Sequence, residues 1–390
     1  MWNWLIKPKT PYTWGFIARV VIKAVMLFII ANLLFAWLHP LDFFGRLSLY
    51  NTLFTGRERL PYGENSAEAY TITLDNIPTM FATHEINRPK TDDEYRVLLV
   101  GDSATWGFLL EAHHTLAQQL TDKGYLLVDG RRVVAYTIAH PVMSLTKDLL
   151  LLDEALNYQP DMVVWLVTMQ SFSHERQLSA PITQRNPDRI RRLIAEYDLS
   201  LNPDEPRFIQ PHFGDTTLIG QRRALADWIR IQFYGVMWQS TGIDHVWGEY
   251  ALRRNNFESE IFKWEEFDAP QTLSADDLAF DMIFAGHKRV GNIPLILVNE
   301  PMFIADGRNS DVRYNNFYPR WAYNQYRELF TQLADENNWL YCDVWDAMPP
   351  DSFTDSPVHM TADATRDFSQ ILGEMITDYL DFGYLGRDCD

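Results

Sequence analysis

The sequence predicts an α/β fold: a parallel sheet covered by helices on both faces, preceded by a membrane-spanning helix and interrupted by a helical insertion. Three observations predict it. Five short apolar runs rich in β-formers alternate with stretches of helical spacing, and strands that alternate with helices pair in parallel through right-handed crossovers. Fifteen consecutive residues, Ala24–Leu38, have Asn32 as their one polar side chain. The charge is also divided. Four basic residues (Lys7, Lys9, Arg19, Lys23) and no acidic one precede Asp42, whereas the rest of the 390-residue chain carries 30 basic and 52 acidic groups.

Extended back to Phe16, the N-terminal run reaches about 34 Å as a helix, enough for a hydrocarbon core of about 30 Å. Arg19 and Lys23 then snorkel to one headgroup layer, and Trp14 and Trp37 flank the run as interfacial aromatics do. Bulky Phe35, Trp37 and Leu38 crowd the place where a signal peptidase needs small residues, so the run reads as an uncleaved anchor. The positive-inside rule puts the N-terminus in the cytoplasm and the acidic bulk outside, a single-pass protein of the cell membrane. Residues 1–41 are tail and anchor. Asn32 within the span motivates a membrane-protein partner, since intramembrane polar groups seek partners.

Residues 42–94 are irregular, with Pro61, Pro78 and Pro89, and read as a connector packed on the domain that follows. That domain, 95–390, opens with strand Tyr95–Val100, buried on both faces by its continuous apolar run. A helix over His113–Lys123 stops at Gly124, and strand Val133–Ala139 follows. Helix Ser144–Tyr158, with Ser144 as cap, ends before Pro160. Strand Met162–Thr168 leads into an insertion at about 171–270 with helical spacing near Thr217–Trp238. The rhythm resumes with helix Ser274–Val290, strand Pro294–Asn299, helix Arg320–Asn337, strand Trp339–Val344 and helix Thr361–Phe382.

The net charge of −18 argues against a nucleic-acid partner, whose affinity comes from neutralised phosphates. Two cysteines, Cys342 and Cys389, exclude a disulfide-rich scaffold and leave one bridge open. No metal-ligand spacing and no phosphate-cradling glycine loop occur, so no metal and no cofactor is expected. His113 and His114 read as an exposed helix start. Trp106, Trp165, Trp228, Trp238 and Trp247 are candidates for an aromatic sugar- or acyl-binding wall, with core packing as the ordinary role.

In parallel sheets ligands bind beyond the carboxyl ends of the strands. The first strand ends in Gly101-Asp102-Ser103-Ala104, a serine at a strand-to-helix turn whose N–H lies near a helix start, where donors face developing negative charge. Helix capping by Asp102 or Ser103 is the plain alternative. The loop after the last strand carries Asp355-Ser356-Pro357-Val358-His359. A serine nucleophile needs a base, and the base needs a partner to hold its tautomer; Ser103, His359 and Asp355 supply that set. Glu300, ending the fourth strand, faces the same edge as a substrate-binding or loop-anchoring group.

These segments resemble the SGNH/GDSL hydrolase superfamily, which has Gly-Asp-Ser after the first strand and Asp-x-x-His before the last helix. The resemblance covers about residues 95–385, outside the insertion, and implies a flavodoxin-like three-layer sheet with Ser103 as nucleophile, His359 as base and Asp355 as orienting acid. Three residues separate Asp355 from His359 here instead of two. Either the loop bulges to bring Asp355 into place or a backbone carbonyl orients the ring. The family's oxyanion glycine and asparagine are also absent; at their places stand Ala139-His140 and Thr168-Met169-Gln170. The backbone N–H of Ala139 or His140 and the Thr168 hydroxyl or Gln170 amide are the substitutes. Anchored relatives of this type include extracytoplasmic O-acyltransferases and esterases of envelope polymers. The resemblance therefore implies a serine esterase or acyltransferase acting on an acylated glycan or lipid. A non-catalytic envelope-binding or assembly protein on the same fold is the alternative.

Overall fold

The computed structural model describes residues 12–53, 56–62, 75–210, 212–241, 249–258 and 262–385. Helix α1 spans Trp14–Leu38, with Thr13 accepting a hydrogen bond from the Phe16 N–H as its N-cap. It is long and apolar enough to cross a membrane, with a mean hydropathy of 2.3 over its most apolar window. Of its side chains only those of Asn32 and Ala36 are buried. A short helix α2 (Ile77–Thr83) follows within the connector.

The sheet then begins with β1 (Glu94–Val100), every residue of which is buried. Next come α3 (Ser103–Trp106), α4 (Leu116–Asp122), β2 (Arg132–Thr137) and α5 (Leu145–Ala155). After β3 (Met162–Val167) the insertion contributes α6 (Pro187–Tyr197) and α7 (Arg222–Thr241). The chain closes through α8 (Phe280–Val290), β4 (Leu295–Asn299), α9 (Arg320–Asn337), β5 (Leu340–Asp343) and α10 (Ala362–Phe382). All four pairings are parallel and the order is β2-β1-β3-β4-β5, the flavodoxin-like order.

Strand alternation divides the core into two layers. Leu98, Val100 and Trp165 face a layer with Leu149, Ile283 and Tyr326, from α5, α8 and α9. Val97, Leu99 and Val164 face Leu116, Leu120 and Leu372, from α4 and α10. Removing one such aliphatic side chain costs about 2–5 kcal/mol, so both faces hold the strand ends in place.

Two expected helices are interrupted. His113–Lys123 divides into a 3-10 turn at Ala112–His114 and α4, because Thr115 caps the second segment. Ser274–Val290 divides likewise: Ser274 and Asp277 close a capping box around one turn, and α8 starts at Phe280. Cys342, buried in β5, is disulfide-bonded, and Cys389 lies outside the described residues.

The insertion is fastened to the anchor and connector. The Ile219 N–H donates to Asn32 Oδ1 at 3.2 Å, while Asn32 Nδ2 donates to the Phe28 carbonyl at 2.9 Å. The Asn32 amide is thus hydrogen-bonded within the chain through both of its polar atoms. On α7, Gln232 Oε1 accepts from the Leu49 N–H at 2.6 Å and Trp228 packs against Phe44 with ring centroids 5.8 Å apart.

Candidate active site

β1 delivers the segment that carries Ser103. At Gly101 a side-chain Cβ would lie 2.5 Å from Thr105 Oγ1 and 3.0 Å from the Leu166 carbonyl, so the turn requires glycine. Asp102 caps α3, accepting from the Ala104 N–H at 2.8 Å. The capping role therefore belongs to Asp102 and leaves the half-buried Ser103 hydroxyl for another partner.

That partner is His359. Ser103 Oγ lies 2.8 Å from His359 Nε2, and His359 Nδ1 lies 2.8 Å from Asp355 Oδ1. The three-residue spacer is absorbed by a closed loop. The Thr354 N–H donates to the His359 carbonyl, the Thr361 N–H donates to the Ser352 carbonyl, and Phe353 bridges Met360 in antiparallel fashion. Asp355 thus reaches the ring. Burial pushes its carboxyl up, but the His359 hydrogen bond and charge, its own backbone and the Thr354 hydroxyl outweigh this and hold it below the usual value. An ionised carboxylate only accepts. Nδ1 therefore carries the proton, and Nε2 is free to accept from the serine. Phe108 lies against the imidazole, ring centroids 4.9 Å apart.

Behind these groups are residues that the sequence did not single out. Lys147 on α5 is fully buried. Its Nζ donates to the carbonyls of Gly101 at 2.8 Å and His140 at 2.5 Å, and pairs with Asp148 at 2.7 Å. One side chain thereby ties the nucleophile turn to the loop after β2. The connector contributes Arg59, which donates to the Gly107 and Leu110 carbonyls at 2.8 and 3.0 Å and covers the Trp106 ring. In the loop after β2, Val142 has φ of 84°, a conformation that is costly for a β-branched residue.

Burial and charge pull the buried acids upward. Desolvation raises Asp102 and Asp148, with Lys147 opposing it, and raises Glu300 well above the carboxylate range with help from Asp102 and Asp148. Desolvation and Lys147 lower His140 to about 3, so its ring stays neutral.

The remaining expected donors are occupied. The Ala139 N–H points to Thr137 Oγ1 at 3.4 Å and the His140 N–H to the Gly101 carbonyl at 3.2 Å. Thr168 Oγ1 shares a hydrogen bond with the Tyr318 hydroxyl at 2.8 Å, and Gln170 Nε2 donates to Glu265. Glu300 is buried, with its N–H on the Val167 carbonyl. The Ser103 N–H has no acceptor among the described residues. Trp106 and Trp165 are core; Trp247 and the Trp238 side chain lie outside what is described. Glu111, His113 and His114 bring their ligand atoms within 4.8 Å of one another on the solvent-facing 3-10 turn, a grouping that the sequence spacing did not suggest.

No family model matches the chain, and no curated protein matches it. Solved structures do. A protein assigned to the G-D-S-L lipolytic family from Desulfitobacterium hafniense DCB-2 is 11% identical, with 72% of this chain and 98% of that one covered and a TM-score of 0.32. A carbohydrate acetylesterase family member from Sinorhizobium meliloti is 13% identical, covering 73% and 98%, TM-score 0.31. A carbohydrate acetylesterase from the same organism is 12% identical, covering 72% and 97%, TM-score 0.32. At this level of likeness, the roles of Ser103, His359 and Asp355 rest on their own geometry.

Proposed function

We infer that the chain is a membrane-anchored serine acyl-ester enzyme of the SGNH type, acting outside the cytoplasm on an acylated envelope glycan or lipid. The single observation that carries this reading is the hydrogen-bonded series Asp355–His359–Ser103, assembled from loops 256 residues apart in the case of Ser103 and His359. His359 Nε2 takes the Ser103 proton as Oγ attacks the acyl carbonyl. The Ser103 N–H, at the start of α3, faces the developing oxyanion. His359 then returns the proton to the departing alcohol, leaving an acyl-enzyme on Ser103. Water resolves it in an esterase; a glycan hydroxyl resolves it in a transferase.

Anchoring is supported by the length and apolarity of α1 and by the basic segment before it, which orients the domain outward. A disulfide-bonded Cys342 suits an oxidising compartment. The full chain in detergent should hydrolyse 4-nitrophenyl acetate. Loss of that activity in both Ser103→Ala and His359→Ala is expected; retention in either would remove the serine mechanism.

A further inference from the structure

A cavity of about 220 Å³ opens between the insertion and the loops that follow β3 and β4. One wall is Gln170, three residues beyond β3, the strand that pairs with β1. Another is Arg254. Its neighbour Arg253 grips the loop carrying Asp355 and His359: its N–H donates to the Thr354 carbonyl at 3.1 Å, and its guanidinium donates to the Phe353 and Pro350 carbonyls at 2.6 and 2.5 Å. The cavity is thus lined from the loop after β3 and from the insertion, next in sequence to the arginine that holds the loop of Asp355 and His359.

Its charge runs against that of the protein. Arg176, Arg254, Lys263 and Arg313 line it, and Glu265 is the one carboxylate among the described lining residues; Lys263 Nζ also lies 3.4 Å from the exposed Asp268 carboxylate, and the Arg313 guanidinium donates to the Asn315, Lys263 and Asn316 carbonyls. Glu265 is already engaged by Gln170 Nε2 and by Arg176 Nε at 2.9 Å. Arg254 has no carboxylate within ion-pair reach among the described residues. Three buried polar atoms in the lining also lack partners: the Trp264 Nε1–H, a donor, and two acceptors, Gln170 Oε1 and Asn316 Oδ1. Trp264 is 2% and Gln170 4% exposed. The Gln170 amide is fixed in this sense, because reversing it would set its oxygen against Glu265. Buried polar atoms are ordinarily satisfied. What satisfies these three must both accept and donate, as a hydroxylated sugar does, and a cluster of cations selects an anionic one.

We propose that this cavity binds an acidic sugar unit, carrying a carboxylate or a phosphate, of the polymer whose ester Ser103 attacks. This assignment of substrate class rests on the esterase reading for its purpose, but its binding chemistry is independent of Ser103. The anion meets Arg254 and Lys263 at the mouth. A ring hydroxyl donates to Gln170 Oε1, and a sugar oxygen accepts from Trp264.

The test is calorimetric titration of the full chain, in the Ser103→Ala form, with glucuronate, glucose 6-phosphate and glucose. At least one anion should bind ten or more times tighter than glucose, and the better of the two identifies carboxylate or phosphate. Arg254→Glu and Lys263→Glu, at exposed positions that leave the fold intact by circular dichroism, should each weaken that anion about tenfold or more. Raising salt from 0.02 to 0.5 M should weaken it as well. Equal affinity for glucose, no binding of either anion, or unchanged affinity in both variants overturns the proposal. Anion binding that depends on Arg254, in a protein whose Ser103 proves unreactive, would sink the esterase reading and leave this one standing. A reactive Ser103 with no anion binding does the reverse.

Discussion

Replacing Asp355 by asparagine probes the part of the relay that the sequence left undecided. The Asp355 carboxylate lies 2.8 Å from His359 Nδ1, with its side chain 26% exposed. During attack the imidazole becomes cationic. Opposite charges centred about 4 Å apart attract by about 4 kcal/mol at an effective dielectric near 20; partial exposure reduces this to roughly 2–3 kcal/mol. The asparagine amide can also donate to Nδ1, which places the proton on Nε2, where it blocks acceptance from Ser103. The electrostatic loss alone is a factor of roughly 30–150 in rate, and the tautomer shift deepens it. The assay is kcat on 4-nitrophenyl acetate for wild type and Asp355→Asn, with KM expected to change little. A kcat within threefold of wild type would refute the reasoning and give the orienting role to another group.

Lys147→Met leaves the His140 carbonyl without the Lys147 donor, the Gly101 carbonyl with the His140 N–H alone, and Asp148 without its cation. Breaking such a buried pair costs about 3–5 kcal/mol, read as a lowered urea midpoint, and Asp148→Asn in the same chain should recover part of it; a loss below about 1 kcal/mol would mean that Lys147 carries no such load. At Val142, with φ of 84°, glycine should be about 1 kcal/mol more stable than alanine, the reverse of the usual order. Equal urea midpoints for Val142→Gly and Val142→Ala would remove the strain argument. Burial, then the neighbouring Glu58, raises Glu85 to about 8 against an ordinary 4.5. The folded chain thus keeps a proton there that the unfolded chain releases above 4.5, and stability is lost as pH rises towards 8. Glu85→Gln should therefore gain on wild type between pH 5 and pH 8, and parallel stability curves would contradict this.

Much of the sheet was legible because strands buried on both faces must be apolar throughout. Met162–Val167 and Leu295–Asn299 could hardly be read otherwise, and the positions of the Ser103 and His359 segments followed from the strand ends. The spacing of Asp355 was legible only as an ambiguity, since the pairing of Phe353 with Met360 that resolves it leaves no mark in a single sequence. Lys147 was hidden for a different reason. On α5 it occupies an ordinary helical position, and its partners are backbone carbonyls 46 and 7 residues away, which have no residue-type signature. Val142 holds a positive φ without the glycine that would have announced it. Arg59 lies in a connector whose irregularity concealed that it packs behind Trp106. The oxyanion substitutes were sought in the loops after β2 and β3, but Thr137, Gly101, Tyr318 and Glu265 occupy those donors through contacts that only folding reveals.

The central claim is that Ser103 is a nucleophile activated by His359. Treating the folded full chain with a fluorophosphonate and measuring intact mass tests it most directly. One adduct per chain is expected, located on Ser103, absent in Ser103→Ala and strongly slowed in His359→Ala. No adduct on folded protein, or equal labelling in Ser103→Ala, would contradict it.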